Sequence, residues 1–217
     1  MIEAIVFDFD GVLADSEPLH LAAYQQVFSA LGVPLTRDDY YRNFLGYDDE
    51  GVFRLMGERH GWQLDDVRLA ALVAEKSRVF DAVISTQDVL YPGAASIVER
   101  LASSYPLGIA SGALRHEIET VLRGALLDRH FRFIVASGDT VESKPSPDPY
   151  VRAAQLHRLP ASACLAIEDS RWGIVSAKTA GMKCVGITNT YPASELSSAD
   201  AVIGSLTEFT EALIQSL

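Results

Sequence analysis

Ile5-Val6-Phe7-Asp8-Phe9-Asp10-Gly11-Val12-Leu13 joins an apolar run, two carboxylates one residue apart, and a glycine. The run reads as a strand leaving a sheet core. Asp8 and Asp10 would share one face if the strand continued, because side chains repeat every second residue. Gly11 lets the chain turn sharply at that point, so both carboxylates can converge on one small volume. Convergent carboxylates are costly unless a cation, a proton or a reacting group uses them. The alternative is a pair of ordinary turn aspartates after a strand, and the rest of the chain weighs against it.

Outward from that strand, further strand-like runs fall at Leu107–Ala110, Phe133–Ala136, Cys164–Ile167, Cys184–Ile187 and Ala201–Ile203. Several are apolar throughout, as parallel strands covered on both faces are. From residue 92 they alternate with helical patterns at Gly93–Ser103, His116–Leu126, Asp148–Arg158, Ile174–Ala180 and Thr207–Leu217. That rhythm predicts an α/β core with a doubly wound, mostly parallel sheet of Rossmann-like type.

The segment between the first strand and residue 90 breaks the rhythm. Ser16-Glu17-Pro18 reads as a helix start and Gly32 as its stop, with Leu19, Ala22, Ala23, Val27 and Leu31 as an apolar stripe between them. Helical patterns follow at about Arg37–Phe44, Asp49–Arg59 and Asp66–Val83. The expected organisation is a core of residues 1–14 with 88–217, interrupted by an all-helical domain at 15–87. A helical insert beside a site loop suits a lid, with hinges near Asp15 and near residues 85–91.

Composition narrows the class of protein. Of 217 residues, 48% are hydrophobic and 22% charged, enough to build a globular core. The formal charge of −11 argues against nucleic acid or an anionic membrane as a partner, yet leaves room for a small anionic substrate. No apolar run is long enough to span a bilayer, and Met1-Ile2-Glu3 leads directly into strand sequence. A cytoplasmic location is expected, with Cys164 and Cys184 as buried, reduced thiols. Oligomeric state is not legible, and a monomer suffices.

Three later clusters share the placement of Asp8 and Asp10. Ser111-Gly112 ends a strand and precedes a helix, where a hydroxyl and backbone amides can hold an anionic oxygen; an ordinary N-cap serine is the alternative. Lys144 lies in Ser143-Lys144-Pro145-Ser146-Pro147-Asp148-Pro149, a loop that its prolines restrict, against the alternative of a solvated lysine. Glu168-Asp169 ends another strand. Sites in parallel sheets form beyond the carboxyl ends of the strands, so all six residues can share one rim. Carboxylates from two strands suit Mg²⁺. Zinc spacing, P-loop and dinucleotide-binding signatures are absent, and His20, His60, His116, His130 and His157 are scattered.

In this order the four segments resemble the motif set of the haloacid dehalogenase superfamily: Asp8-Phe9-Asp10-Gly11-Val12-Leu13 as DxDGxL, strand-end Ser111, Lys144 in a KPxPDxY context, and Glu168-Asp169. The insert is similar to the small helical cap of the subgroup containing phosphoglycolate-type and sugar-phosphate phosphatases and β-phosphoglucomutase. The resemblance implies a Mg²⁺-dependent hydrolase acting on a small phosphorylated metabolite. Asp8 would be the nucleophile forming an aspartyl-phosphate, and Asp10 the general acid and then base. Ser111 and Lys144 would hold the transferring phosphoryl group, together with backbone at Gly11 and Gly112. Mg²⁺ would be bound by Asp8, the main-chain carbonyl of Asp10 and Asp169, with Glu168 beside them. The presence of Asp10 argues against the dehalogenase branch, which lacks it. His20 and Lys76 fall where the mutase-like subgroup has cap-side polar residues, against the alternative of solvent-facing helix side chains.

Two rival functions remain. Phospho-acceptor receiver domains use a similar residue set to signal, but they are shorter and lack a helical insert. A β-phosphoglucomutase needs cations for a second phosphate, and its pattern places an arginine in G-x-x-R after a cap glycine. Here the run is Gly46-Tyr47-Asp48-Asp49-Glu50, acidic where the cation is expected, although Arg115 offers partial compensation. Hydrolysis is therefore expected over isomerisation.

Overall fold

The computed structural model describes residues 1–45, 47–84 and 88–217. In chain order, β1 (Ala4–Phe7) is followed by four helices: α1 (Glu17–Ala30), α2 (Arg37–Asn43), α3 (Asp49–His60) and α4 (Asp66–Ile84). The chain then alternates through α5 (Ala94–Ala102), β2 (Leu107–Ala110), α6 (Arg115–Gly124), β3 (Phe131–Val135), α7 (Asp148–His157), β4 (Cys164–Glu168), α8 (Arg171–Thr179), β5 (Lys183–Ile187), β6 (Ala201–Ile203) and α9 (Glu211–Ser216). Two compact units result, one of Met1–Asp15 with Asp88–Leu217, the other of Ser16–Gln87. Asp15, expected in the helical domain, groups with the α/β unit, where its N–H donates to the Val89 carbonyl at 2.7 Å.

The α/β unit is a doubly wound sheet of six parallel strands in the order β3-β2-β1-β4-β5-β6. Both sets of alternate residues along the central strands are buried. Ala4, Val6, Ala166 and Cys184 join a cluster with Tyr150 and Ala153 of α7 and Ile174 and Ala177 of α8. Ile5, Phe7, Leu165 and Ile167, which point the other way, are fully buried as well. Cys164 and Cys184 are free thiols within this core.

The strand order reverses between β1 and β4. Crevices at such reversals, beyond the carboxyl ends, are where ligands bind in open parallel sheets. Asp8 follows β1 directly and Glu168 closes β4, so the reversal brings the two acidic strand ends side by side. The C-terminal helix starts later than its pattern predicts. Leu206–Glu208 forms a short 3₁₀ turn, Phe209 is extended, and the Thr210 hydroxyl caps α9 by accepting from the Leu213 N–H.

In the helical unit, Thr36 caps α2 and Asp48 caps α3, while the Asp65 carboxylate accepts from the Arg68 N–H at the start of α4. Helix α4 packs against α1 and α3. Their contact is filled by Tyr24, Phe28, Phe53 and Phe80, all buried, with ring centroids of Phe28 and Phe53 5.3 Å apart. Gly46 and part of the segment expected to act as the second hinge lie outside the described residues. No helix among the described residues is long and apolar enough to cross a membrane.

Candidate active site

Four of the expected site residues converge at the β1/β4 reversal. The Lys144 ammonium lies 3.0 Å from Asp8 Oδ1 and 2.5 Å from Glu168 Oε1. Oxygens of Asp8, Glu168 and Asp169 come within 4.8 Å of one another. The carboxylates are buried: Glu168 is 0% exposed, Asp169 6% and Asp8 8%. Lys144 is thus held between two carboxylates rather than solvated.

Backbone geometry sets these positions. The Asp8 N–H still pairs with the Ile167 carbonyl at 2.9 Å, which ties Asp8 to β4, and the Phe9 N–H donates to Asp8 Oδ1 at 2.7 Å. Gly11 then turns with φ +75°, and its N–H donates to the Ala14 carbonyl at 2.9 Å. A side chain at Gly11 would collide with Asp169, since a Cβ there falls 1.8 Å from Oδ2. The glycine is required twice, by its dihedral and by its neighbour. Asp10 is half-buried and its residue bridges to Ala14.

Glu168 is the best-anchored carboxylate. Oε1 accepts from Lys144 and from the buried Tyr150 hydroxyl at 2.7 Å, and Oε2 accepts from Ser170 Oγ at 3.3 Å. Ser170 also caps α8, accepting from the Gly173 N–H at 3.1 Å. Ser111 is buried; its Oγ accepts from the Ala113 N–H at 3.2 Å, leaving its own hydrogen to donate elsewhere. Space beside Gly112 is open, so no packing demands glycine there.

Electrostatics follow from crowding. Burial raises the pKa of Asp169, and the charges of Asp8 and Glu168 push it further up. Burial and Asp8 raise Glu168 too, with Lys144 opposing them. For Lys144, burial disfavours the charged form, but Asp8 and Glu168 more than reverse this, so the lysine stays protonated. Three buried carboxylates against one ammonium leave an excess of negative charge that a divalent cation would offset. An all-oxygen donor set of this kind fits Mg²⁺. Among the described residues this is the one grouping of acidic, His or Cys side chains able to hold a metal.

His20 and Lys76 lie in the helical unit and touch each other, with Lys76 Nζ 2.7 Å from His20 Nδ1. The solvent-facing reading of Lys76 fails, because it is 1% exposed. Its ammonium lies 2.8 Å from Asp49 Oδ1, an oxygen that also accepts from the Tyr24 hydroxyl, and it faces the Tyr24 and Phe80 rings. Burial first, and Lys76 second, push the His20 pKa well below its usual value, so the imidazole is neutral. Arg115, expected to have a cationic role, is engaged by Asp139 at 2.6 Å and by the Ile134 carbonyl at 2.9 Å.

Sequence reasoning missed Tyr150, Ser170, Gly173, Asn189 and Thr190. Tyr150 had a signal, since a tyrosine in the apolar phase of a helix must find a partner for its hydroxyl. Asn189 and Thr190 follow β5, at the same sheet edge as the residues that were identified. The Asn189 amide donates to the Gly11 carbonyl at 2.8 Å, and the Thr190 hydroxyl bonds the Asp169 carboxylate.

The model of the haloacid dehalogenase-like hydrolase family matches residues 5–187. The chain is 31% identical to protein CbbY of Rhodobacter capsulatus over 207 residues, covering 92% of this chain and 91% of that protein. It is also 31% identical over 212 residues to the validoxylamine A 7'-phosphate phosphatase of Streptomyces hygroscopicus subsp. limoneus, covering 96% of each. A solved structure of a CbbY variant from Rhodobacter sphaeroides, in complex with xylulose-1,5-bisphosphate, superposes with a TM-score of 0.85 at 28% identity over 96% of both chains.

Proposed function

Because the chain belongs to the haloacid dehalogenase-like hydrolase family, we propose that it is a Mg²⁺-dependent phosphatase. It removes phosphate from a small phosphomonoester, a sugar phosphate or short-acid phosphate, through an aspartyl-phosphate on Asp8. The observation that carries this reading is Lys144 held 3.0 Å from Asp8 Oδ1 inside a buried cluster of carboxylates. A carboxylate attacking a phosphate meets charge repulsion, and a fixed cation beside the nucleophile offsets it.

In the first step an Asp8 oxygen bonds to phosphorus while the ester P–O bond breaks, and the departing alkoxide takes a proton from Asp10. In the second, water attacks phosphorus, gives a proton to Asp10, and the acyl phosphate bond breaks to release phosphate and regenerate Asp8. The Ser111 hydroxyl and Lys144 bind the non-bridging oxygens. Mg²⁺, held by Asp8, Asp169 and the Asp10 carbonyl, would neutralise charge on both reactants. Glu168 acts through Lys144, since its oxygens already serve Lys144, Tyr150 and Ser170.

Hydrolysis is favoured over the mutase reading by the state of Lys76. A phosphomutase working through a bisphosphate needs a cation for the second phosphate. Lys76 is the one fully buried lysine or arginine among the described residues, and Asp49 already neutralises it at 2.8 Å. Asp49 therefore acts by occupying the cation rather than as a bare repelling charge. His20, in its neutral form, is left to bind an uncharged hydroxyl.

The test is phosphate release from a panel of sugar, nucleotide and short-acid phosphates, with xylulose 1,5-bisphosphate included and glucose 6-phosphate followed from β-glucose 1-phosphate. Release from monophosphates, abolished by chelator and reduced by several orders of magnitude in Asp8→Asn, is expected. Turnover by purified Asp8→Asn, full activity in excess chelator, or isomerisation with little phosphate release would refute the reading.

A further inference from the structure

Three loops meet within the volume of one methyl group at the edge of the site. A Cβ on Gly11 would lie 1.8 Å from Asp169 Oδ2 and 2.7 Å from Thr190 Oγ1. Gly11 follows β1, Asp169 follows β4 and Thr190 follows β5, so the contact joins three neighbouring strand ends. The β5 loop reaches this point by a defined route. β5 pairs with β4 through Glu168 opposite Gly186, and the Thr188 N–H keeps its bond to the Ile203 carbonyl at 3.0 Å. Past Thr188 the chain bends toward β1, where the Asn189 amide clasps the Gly11 carbonyl from 178 residues away. That clasp sets the position of the next residue, Thr190.

Asp169 is anchored quite differently from its neighbour. Glu168 has Lys144, Tyr150 and Ser170 as partners, whereas the Thr190 hydroxyl, which meets Asp169 Oδ2 beside Gly11, donates to the Asp169 carboxylate. A metal-binding carboxylate must be correctly turned, and a group that hydrogen-bonds it fixes that orientation.

We propose that Thr190, held in place by Asn189, is a positioning residue that orients the Asp169 carboxylate for the divalent cation. The inference rests on the metal-dependent reading above and adds a residue from a fifth strand to it. Thr190 acts through Asp169 and does not itself touch the reacting atoms. Valine at this position keeps the shape of threonine and deletes the donor, while serine keeps the donor.

The experiment titrates Mn²⁺ alone into the substrate-free protein, followed by electron paramagnetic resonance of the free ion. Thr190→Val is expected to bind Mn²⁺ 10- to 100-fold more weakly than wild type, the range seen when a metal ligand loses its hydrogen-bond partner. Thr190→Ser should restore affinity to within a few-fold, and thermal melting of the metal-free proteins should coincide, which separates orientation from general damage. Wild-type affinity in Thr190→Val, or equal weakening in Thr190→Ser, would overturn the role of Thr190 while leaving the phosphatase reading intact. Absence of Mn²⁺ binding by the wild type would overturn both.

Discussion

Replacing Gly173 with alanine, a change of one methyl group on a helix, should disable the site through Glu168. Gly173 lies in the first turn of α8, and a Cβ there would sit 1.9 Å from the Glu168 Cδ and Oε1 and 2.0 Å from Oε2. Ordinary contact begins near 3.4 Å, so the carboxylate would have to retreat by about 1.5 Å. Usually the end of a long side chain moves cheaply. Here it is 0% exposed and receives hydrogen bonds from Lys144 at 2.5 Å and Tyr150 at 2.7 Å. A shift of that size stretches both beyond hydrogen-bond range and leaves an ammonium and a hydroxyl buried without this partner. Breaking a buried ion pair costs about 3–5 kcal/mol, equivalent to roughly 6–20 °C in Tm for a chain of this length. Lys144 would fall back on Asp8, drawing on the charge of the proposed nucleophile, so phosphate release should drop by at least about 100-fold. Thermal melting and steady-state hydrolysis of Gly173→Ala measure the two effects. A variant with wild-type Tm and kcat would show that Glu168 yields freely and that the anchoring of Lys144 is not what the geometry implies.

Asp10→Asn should reduce hydrolysis of sugar phosphates by about 10²–10⁴-fold but that of nitrophenyl phosphate far less, because a nitrophenolate departs without a proton; equal losses would make Asp10 structural or only a metal ligand. His157, 6% exposed on α7, gives a pH signature: burial first and Arg132 second lower its pKa to about 4 from an ordinary 6.5. Between those values the unfolded chain binds more protons than the folded one, so this contribution is complete above pH 6.5 and is lost as pH falls toward 4, amounting to about 2 kcal/mol between pH 7.5 and 5. Urea unfolding of wild type and His157→Gln at both pH values should show a steeper acid loss for wild type, and parallel losses would refute it.

Which parts of this site could be seen in the sequence follows from how local their causes are. β1 is legible because Ala4–Phe7 are apolar without interruption, and being buried on both faces of a parallel sheet requires just that. Asp8, Ser111, Glu168 and Asp169 are legible because each terminates such a run, and the topology rule then places strand ends together. Lys144 is legible as a restrained residue, but not as a bridge. Its role as one depends on Tyr150 of α7, whose helical phase shows that its hydroxyl is buried but not which group it bonds, and on the missing side chain at Gly173 of α8, which has no periodic signature.

The helices of the inserted unit are legible from their periodicity, but the Lys76 cluster between them is not, for the same reason. Lys76 sits in an amphipathic helix among charged residues, where a lysine ordinarily faces water. It is buried because α1 supplies His20 and Tyr24 while the first turn of α3 supplies Asp49, and only the packing of three helices turns those side chains toward one ammonium. The same logic governs the loop after β5. Asn189 and Thr190 look like turn residues, which they are; their chemical consequence arises because Gly11 has no side chain and leaves room for the Thr190 hydroxyl and Asp169 to meet. A glycine at a strand end can thus be read as flexibility from the sequence, whereas in the folded protein it is the space that lets two other residues touch.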